Sequence, residues 1–189
     1  MSNINHFYNT INGYMVSSNC KLFDHIISNF KSGDWVELGS WTGKSTAYNV
    51  VELINNNLDF TFYSVDTWQG GPEHQDIDLV KNDQLYDTFL KNISPIKDNV
   101  NIIRSLSWEA ANNFKDNSIT VCYIDADHEY DSVKKDIDAW WPKMKSGGYF
   151  CGDDYTKGFP GVQKAVKEFA VKNKLKVSKI GRCWLIIKP

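Results

Sequence analysis

Five short apolar runs, each closing on a polar residue and each followed by residues with helical spacing, limit what this chain can fold into. The runs are "DWVEL", "FTFYSVD", "NVNIIRS", "SITVCYID" and "GGYFCGDD". Between them, Ala47, Val50, Val51 and Ile54 repeat as one face of a helix, as do Leu85, Phe89, Leu90 and Ile93, and Val133, Ile137 and Trp140. "SWEAANNF" is a shorter helix, and "GVQKAVKEFAVKN" a further one. Strands separated by helices pair in parallel through right-handed crossovers, with helices on both faces of the sheet. The chain closes on "LKVSKI" and "CWLIIK" around Gly181–Arg182, a hairpin pattern. An amphipathic helix over 19–31, with Gly33 as its stop, precedes the first strand.

In an open α/β sheet the ligand sits beyond the carboxyl ends of the strands. The polar residues at those ends are Glu37, Asp66, Ser105 or Ser107, Asp125, and the pair Asp153–Asp154. A run of such residues along one edge reads as a site. "VELGSWTGKST" narrows its chemistry, because Gly39 and Gly43 enclose three residues where a phosphate-cradling P-loop needs four, and one of the three is Trp41. Glu37 beside the turn opposes a pyrophosphate and favours a cationic ligand. Asp66 is placed to accept from ribose hydroxyls. A nucleoside with a positive centre and no phosphates is S-adenosylmethionine.

The chain's 189 residues and 42% apolar content suit one domain, with 1–33 as an N-terminal helical segment and 34–187 as the core. A net charge of -2 and the lack of a basic stripe argue against nucleic acid or a membrane surface as partner. No apolar run reaches spanning length, so a cytoplasmic protein is expected. Cys20, Cys122, Cys151 and Cys183 form no C-x-x-C pair, which argues against a zinc site.

"VELGSWTGKST" and "FYSVDTW" resemble the first two motifs of class I S-adenosylmethionine-dependent methyltransferases. "IDADHEY…DIDAWWPKMKSGGYFCGDDY" resembles the later segment of a metal-dependent O-methyltransferase subgroup that includes catechol and macrolide-sugar enzymes. The likeness runs over about residues 34–187. It implies an α/β, Rossmann-like three-layer sandwich, a seven-stranded mostly parallel sheet in the order 3-2-1-4-5-7-6 with the last strand antiparallel. It also implies a cofactor site at Glu37, Gly39, Ser40, Trp41, Gly43, Ser45, Asp66, Thr67, Trp68, Ser107, Trp108 and Asp125. Three converging carboxylates repel unless a cation sits among them, and a hard divalent ion such as Mg²⁺ suits oxygen ligands. By resemblance, Asp125, Asp153 and Asp154 hold that ion; the catechol enzymes have Asp-Asn where this chain has the Asp pair.

Asp125 and His128 are the expected catalytic residues. His128 lies where the catechol enzymes carry a lysine base, and a histidine can take a proton at neutral pH. The competing reading makes it a helix-start residue or a structural partner of the acids. His74, in the loop after the second strand, either touches substrate or is an exposed loop histidine. Trp108 either stacks on adenine or starts the core of a short helix, and Tyr14, Trp41, Tyr155 and Phe159 either line an acceptor pocket or pack. The expected activity is methyl transfer to a hydroxyl of a small molecule, a sugar or vicinal diol that can chelate the metal; homodimerisation stays open. Two rivals remain: a metal-independent N- or O-methyltransferase, and a module that binds S-adenosylmethionine or another nucleoside without turnover.

Overall fold

The computed structural model describes residues 3–189. One sheet runs in the order β3-β2-β1-β4-β5-β7-β6, as expected. Its strands are β1 (Ser32–Leu38), β2 (Asp59–Asp66), β3 (Val100–Arg104), β4 (Ile119–Ile124), β5 (Met144–Gly152), β6 (Ser178–Ile180) and β7 (Cys183–Ile187). β1 to β5 pair in parallel, and β7 runs antiparallel to both β5 and β6. The helices are α1 (Ser17–Asn29), α2 (Lys44–Asn55), α3 (Asp78–Lys81), α4 (Leu85–Asn92), α5 (Ser107–Ala110), α6 (Tyr130–Trp140) and α7 (Pro160–Lys172). The helix expected around 83–93 is thus α4, and α3 is a single turn with no buried residue, too short to leave a periodic signal. No described helix is long and apolar enough to cross a membrane.

The pleat sorts the strand residues into two cores. Trp35, Phe62, Val121, Tyr123, Cys151 and Leu185 face α1, α2 and α4. Val36, Leu38, Val65, Cys122, Ile124, Phe150 and Trp184 face α6 and α7. Ile119 joins the second core despite its odd spacing from Cys122, because the β4–β5 register shifts between Ile119 and Val121. The alternation places Glu37 on the face of Trp35, under α2, and that decides its role below.

The α6 layer carries one polar residue with no compensation. Asp136 is fully buried, and neither carboxylate oxygen has a hydrogen-bond partner. Burial pushes its carboxyl up to about 7, which Ser107 nearby offsets only slightly and without a well-formed hydrogen bond. The folded form therefore holds a proton that the unfolded chain releases near 3.8. Stability falls as pH rises through this window, at about 1.4 kcal/mol per pH unit for the one group. Asp136→Asn is expected to remove that slope between pH values of about 4 and 7 and to raise the melting temperature above neutrality, as thermal unfolding across pH would show.

Candidate active site

The glycine turn after β1 is tied down from two sides. Gly39 N–H donates to the carbonyl of Val65 (2.8 Å), and Asp125 N–H to that of Leu38 (2.8 Å). Asp66 then fixes the turn's shape. Its Oδ2 accepts Ser40 N–H (2.8 Å) and Trp41 N–H (2.9 Å), and its Oδ1 accepts Trp68 N–H (2.7 Å). Three backbone donors on one carboxylate fix its orientation. Gly39 has φ +86°, and a Cβ there would lie 2.0 Å from the carbonyl oxygen of Asp125. The glycine is required by the close crossing of the β1 and β4 loops.

Glu37 differs from expectation. It is fully buried behind the turn, its Oε2 accepting from Ser40 Oγ (3.0 Å), Ser64 Oγ (3.3 Å) and Thr46, and its side chain does not line the cavity. Burial pushes its carboxyl upward, and the three hydroxyls pull the other way. Trp68 is likewise core, donating from Nε1 to the Trp41 carbonyl (3.0 Å) and packing on Tyr86 and Phe89. Gly43 faces Ile93 and Phe89 rather than open space.

The remaining expected residues surround one cavity of about 680 Å³, within the range of roughly 300–1,000 Å³ usual for small-molecule sites. Gly39, Ser40, Trp41, Ser45, Asp66 and Thr67 form one side, and Ser107 and Trp108 another. Asp125, His128, Asp153 and Asp154 form the far wall. Six carboxylates border the cavity (Asp66, Glu73, Asp125, Asp127, Asp153 and Asp154) against two permanent cations, Lys44 and Arg182. Such a lining suits a cationic ligand. Tyr14 and Phe159 reach the cavity; Tyr155 is buried outside it. His74 is half-buried in the cavity wall, 4.5 Å from the Trp41 ring. Its Nδ1 accepts Gly71 N–H (3.1 Å), which draws the Gly70–Gly71 loop inward.

At the far wall, Asp125, His128 and Asp154 each offer one donor atom within 4.8 Å of the others. The set is two oxygens and a nitrogen, acceptable to a divalent cation such as Mn²⁺ or Mg²⁺. It overlaps the expected trio but replaces Asp153 with His128. Asp153 is held by other partners. Its Oδ2 accepts from Asn19 Nδ2 (2.8 Å), and its Oδ1 lies 3.0 Å from Arg182 Nε and 3.5 Å from Cys183 Sγ. His128 bridges Asp154 Oδ2 (2.8 Å, from Nε2) and Glu73 Oε1 (3.1 Å, from Nδ1), its ring against Phe159. Burial and the neighbouring Asp153 push Asp125 up to about 7, with His128 and the Tyr123 hydroxyl (3.2 Å) acting in the opposite sense. Trp41, Trp68 and Asp154, in the loops that build the site, have left-handed backbone (φ 47°, 53° and 60°).

Residues 36–155 match the model of a family described as "Methyltransferase domain". The chain belongs to that family. The Rossmann-like fold and the S-adenosylmethionine cofactor expected from the sequence go with this membership. Among curated proteins, the methyltransferase is similar to the uncharacterised protein y4gI of Sinorhizobium fredii (strain NBRC 101917 / NGR234), 28% identical over 109 residues. That match takes in 58% of this chain and only 12% of the relative's length. Among solved structures it is similar to the O-methyltransferase NovP, with TM-score 0.72, 20% identity, and coverage of 90% of this chain and 77% of NovP. It is also similar to CalS11, a TDP-rhamnose 3′-O-methyltransferase of calicheamicin biosynthesis, with TM-score 0.59, 16% identity, and coverage of 90% and 76%.

Gly39→Ala tests the loop crossing. The substitution is expected to cost at least about 1–3 kcal/mol of stability through the left-handed backbone and the clash with the Asp125 carbonyl, and to weaken S-adenosylmethionine binding in calorimetry.

Proposed function

We propose that this methyltransferase moves the methyl group of S-adenosylmethionine to a hydroxyl of a small molecule, assisted by a divalent cation at Asp125, His128 and Asp154. The observation that carries the reading is the meeting of these three donors with the Asp66-braced glycine turn in one acid-lined cavity. When bound, S-adenosylmethionine supplies a methyl carbon made electrophilic by its positive sulfur. A divalent cation, when bound, lowers the pKa of a coordinated hydroxyl and orients it. The chain's own residues do the rest. Asp66 keeps the turn in one shape, so that the cofactor-side wall is preorganised. The acid lining favours the sulfonium over neutral competitors. His128, held between Glu73 and Asp154, stands where it can either coordinate or receive the acceptor's proton. Its two roles are exclusive at Nε2, since a coordinated nitrogen has no free lone pair. Ser107 and Trp108 border the end of the cavity assigned to adenine.

The acceptor class is in keeping with what NovP and CalS11 are described as doing, the latter on a sugar hydroxyl. A diol or hydroxylated ring fits a wall that presents two buried carboxylates and an imidazole.

Metal-independent transfer is the second reading, and a specific observation favours it: Arg182 already brings positive charge to the acid pair. Chelation separates the two. With metal assistance, turnover of a diol acceptor falls by about two orders of magnitude or more in EDTA and returns with Mg²⁺ or Mn²⁺. Asp154→Asn shows the same loss while its S-adenosylmethionine affinity stays within a few fold. Unaltered turnover in EDTA establishes the metal-independent reading.

A further inference from the structure

Arg182 is the feature the proposed reaction leaves unused. It sits in the turn between β6 and β7, behind Gly181, whose φ of +62° shapes the turn against Ser18. Its carbonyl accepts Tyr155 N–H (2.8 Å), so the backbone is anchored independently of the side chain. The guanidinium reaches into the cavity wall, with Nε 3.0 Å from Asp153 Oδ1 and Nη2 on Asp154 Oδ1. The Phe159 ring lies under it at 5.8 Å. Its side chain is 32% exposed, whereas those of the two acids are 8% and 6% exposed. The guanidinium therefore covers the acids on their solvent side.

Asp154 belongs to two sets at once. It is one of the three donors that could hold an ion, and it is half of the Arg182 pair. We infer that Arg182 is a tethered cation that neutralises the Asp153–Asp154 pair in the metal-free protein and must yield when a divalent ion binds. The inference rests on the metal-assisted reading. A guanidinium and a dication sharing one carboxylate repel strongly in a partly buried site, so retaining both in place is unfavourable. Asn19 remains on Asp153 when the guanidinium withdraws, and the ion itself takes its place on Asp154, so neither carboxylate is left bare. The anchored turn confines the movement to the side chain. A guanidinium that instead oriented the acids for the metal would have the opposite signature, because its loss would weaken metal binding.

The test compares Mn²⁺ binding to the wild type, Arg182→Met and Arg182→Lys, read from the EPR signal of free Mn²⁺, with S-adenosylmethionine calorimetry as the check on the fold. Arg182→Met is expected to bind Mn²⁺ about tenfold or more tightly than the wild type, and Arg182→Lys to stay within about threefold. In the wild type, the Arg182 Nε–H resonance is expected to shift on titration with Mg²⁺. Should Arg182→Met fail to bind S-adenosylmethionine, Arg182→Gln takes its place with the same expected sign. Equal or weaker Mn²⁺ binding by the charge-free variant overturns the inference, as does an Nε–H signal unmoved at saturating Mg²⁺. If no protein in the series binds Mn²⁺ while all bind S-adenosylmethionine, the metal-assisted reading falls and this inference with it.

Discussion

Negative charge gathered and buried at one edge of the sheet is the constraint around which the rest of this protein is arranged. A carboxylate removed from water needs partners, and a group of them needs many. The chain supplies those partners from every part of its length. Asp66 accepts from three backbone N–H groups and Glu37 from three hydroxyls on one of its two oxygens, while Asp153 is met by Asn19 and Arg182, and Asp154 by His128 and Arg182. Asp125 has a single tyrosine hydroxyl, and burial and Asp153 push its carboxyl up to about 7. The glycine turn, the loop crossing at Gly39 and the hairpin at Gly181 are the backbone consequences of bringing these partners together.

Under the proposed function, one edge serves two ligands of like sign. The turn and Asp66 offer a stiff, backbone-lined wall. The acid pair across the cavity meets one imidazole and one guanidinium. A stiff wall on the cofactor side is what alignment of a cofactor against its acceptor asks for.

The sheet was largely legible before any coordinates because its evidence is local. Alternation in β1, β4, β5 and β7 and helical spacing in α2, α6 and α7 repeat every few residues, and the closing Gly-Arg turn marks the antiparallel strand. The rim was partly legible: strand-end carboxylates announced a site, and most of the residues expected there line the cavity. Glu37 was read as facing a ligand because an acid beside a glycine turn attracts that reading. Counting the pleat from Trp35 shows that it points beneath α2 instead. Trp68 reads as a cofactor residue by resemblance, because nothing in "VDTWQGG" reveals that α4 packs against it. Glu73, Asn19 and Arg182 were missed for a different reason. Their partners lie 55, 134 and 29 or 28 residues away, and no periodicity encodes a pair at such separations.

Asn19 comes from the first long helix and Arg182 from the last hairpin, yet both fasten on Asp153. The opening and closing segments of the described chain are thus latched to each other through a single side chain beside the chemistry. Fraying of either segment would expose that carboxylate, so disturbances arising far apart along the polypeptide converge on the same few ångströms of the cavity wall.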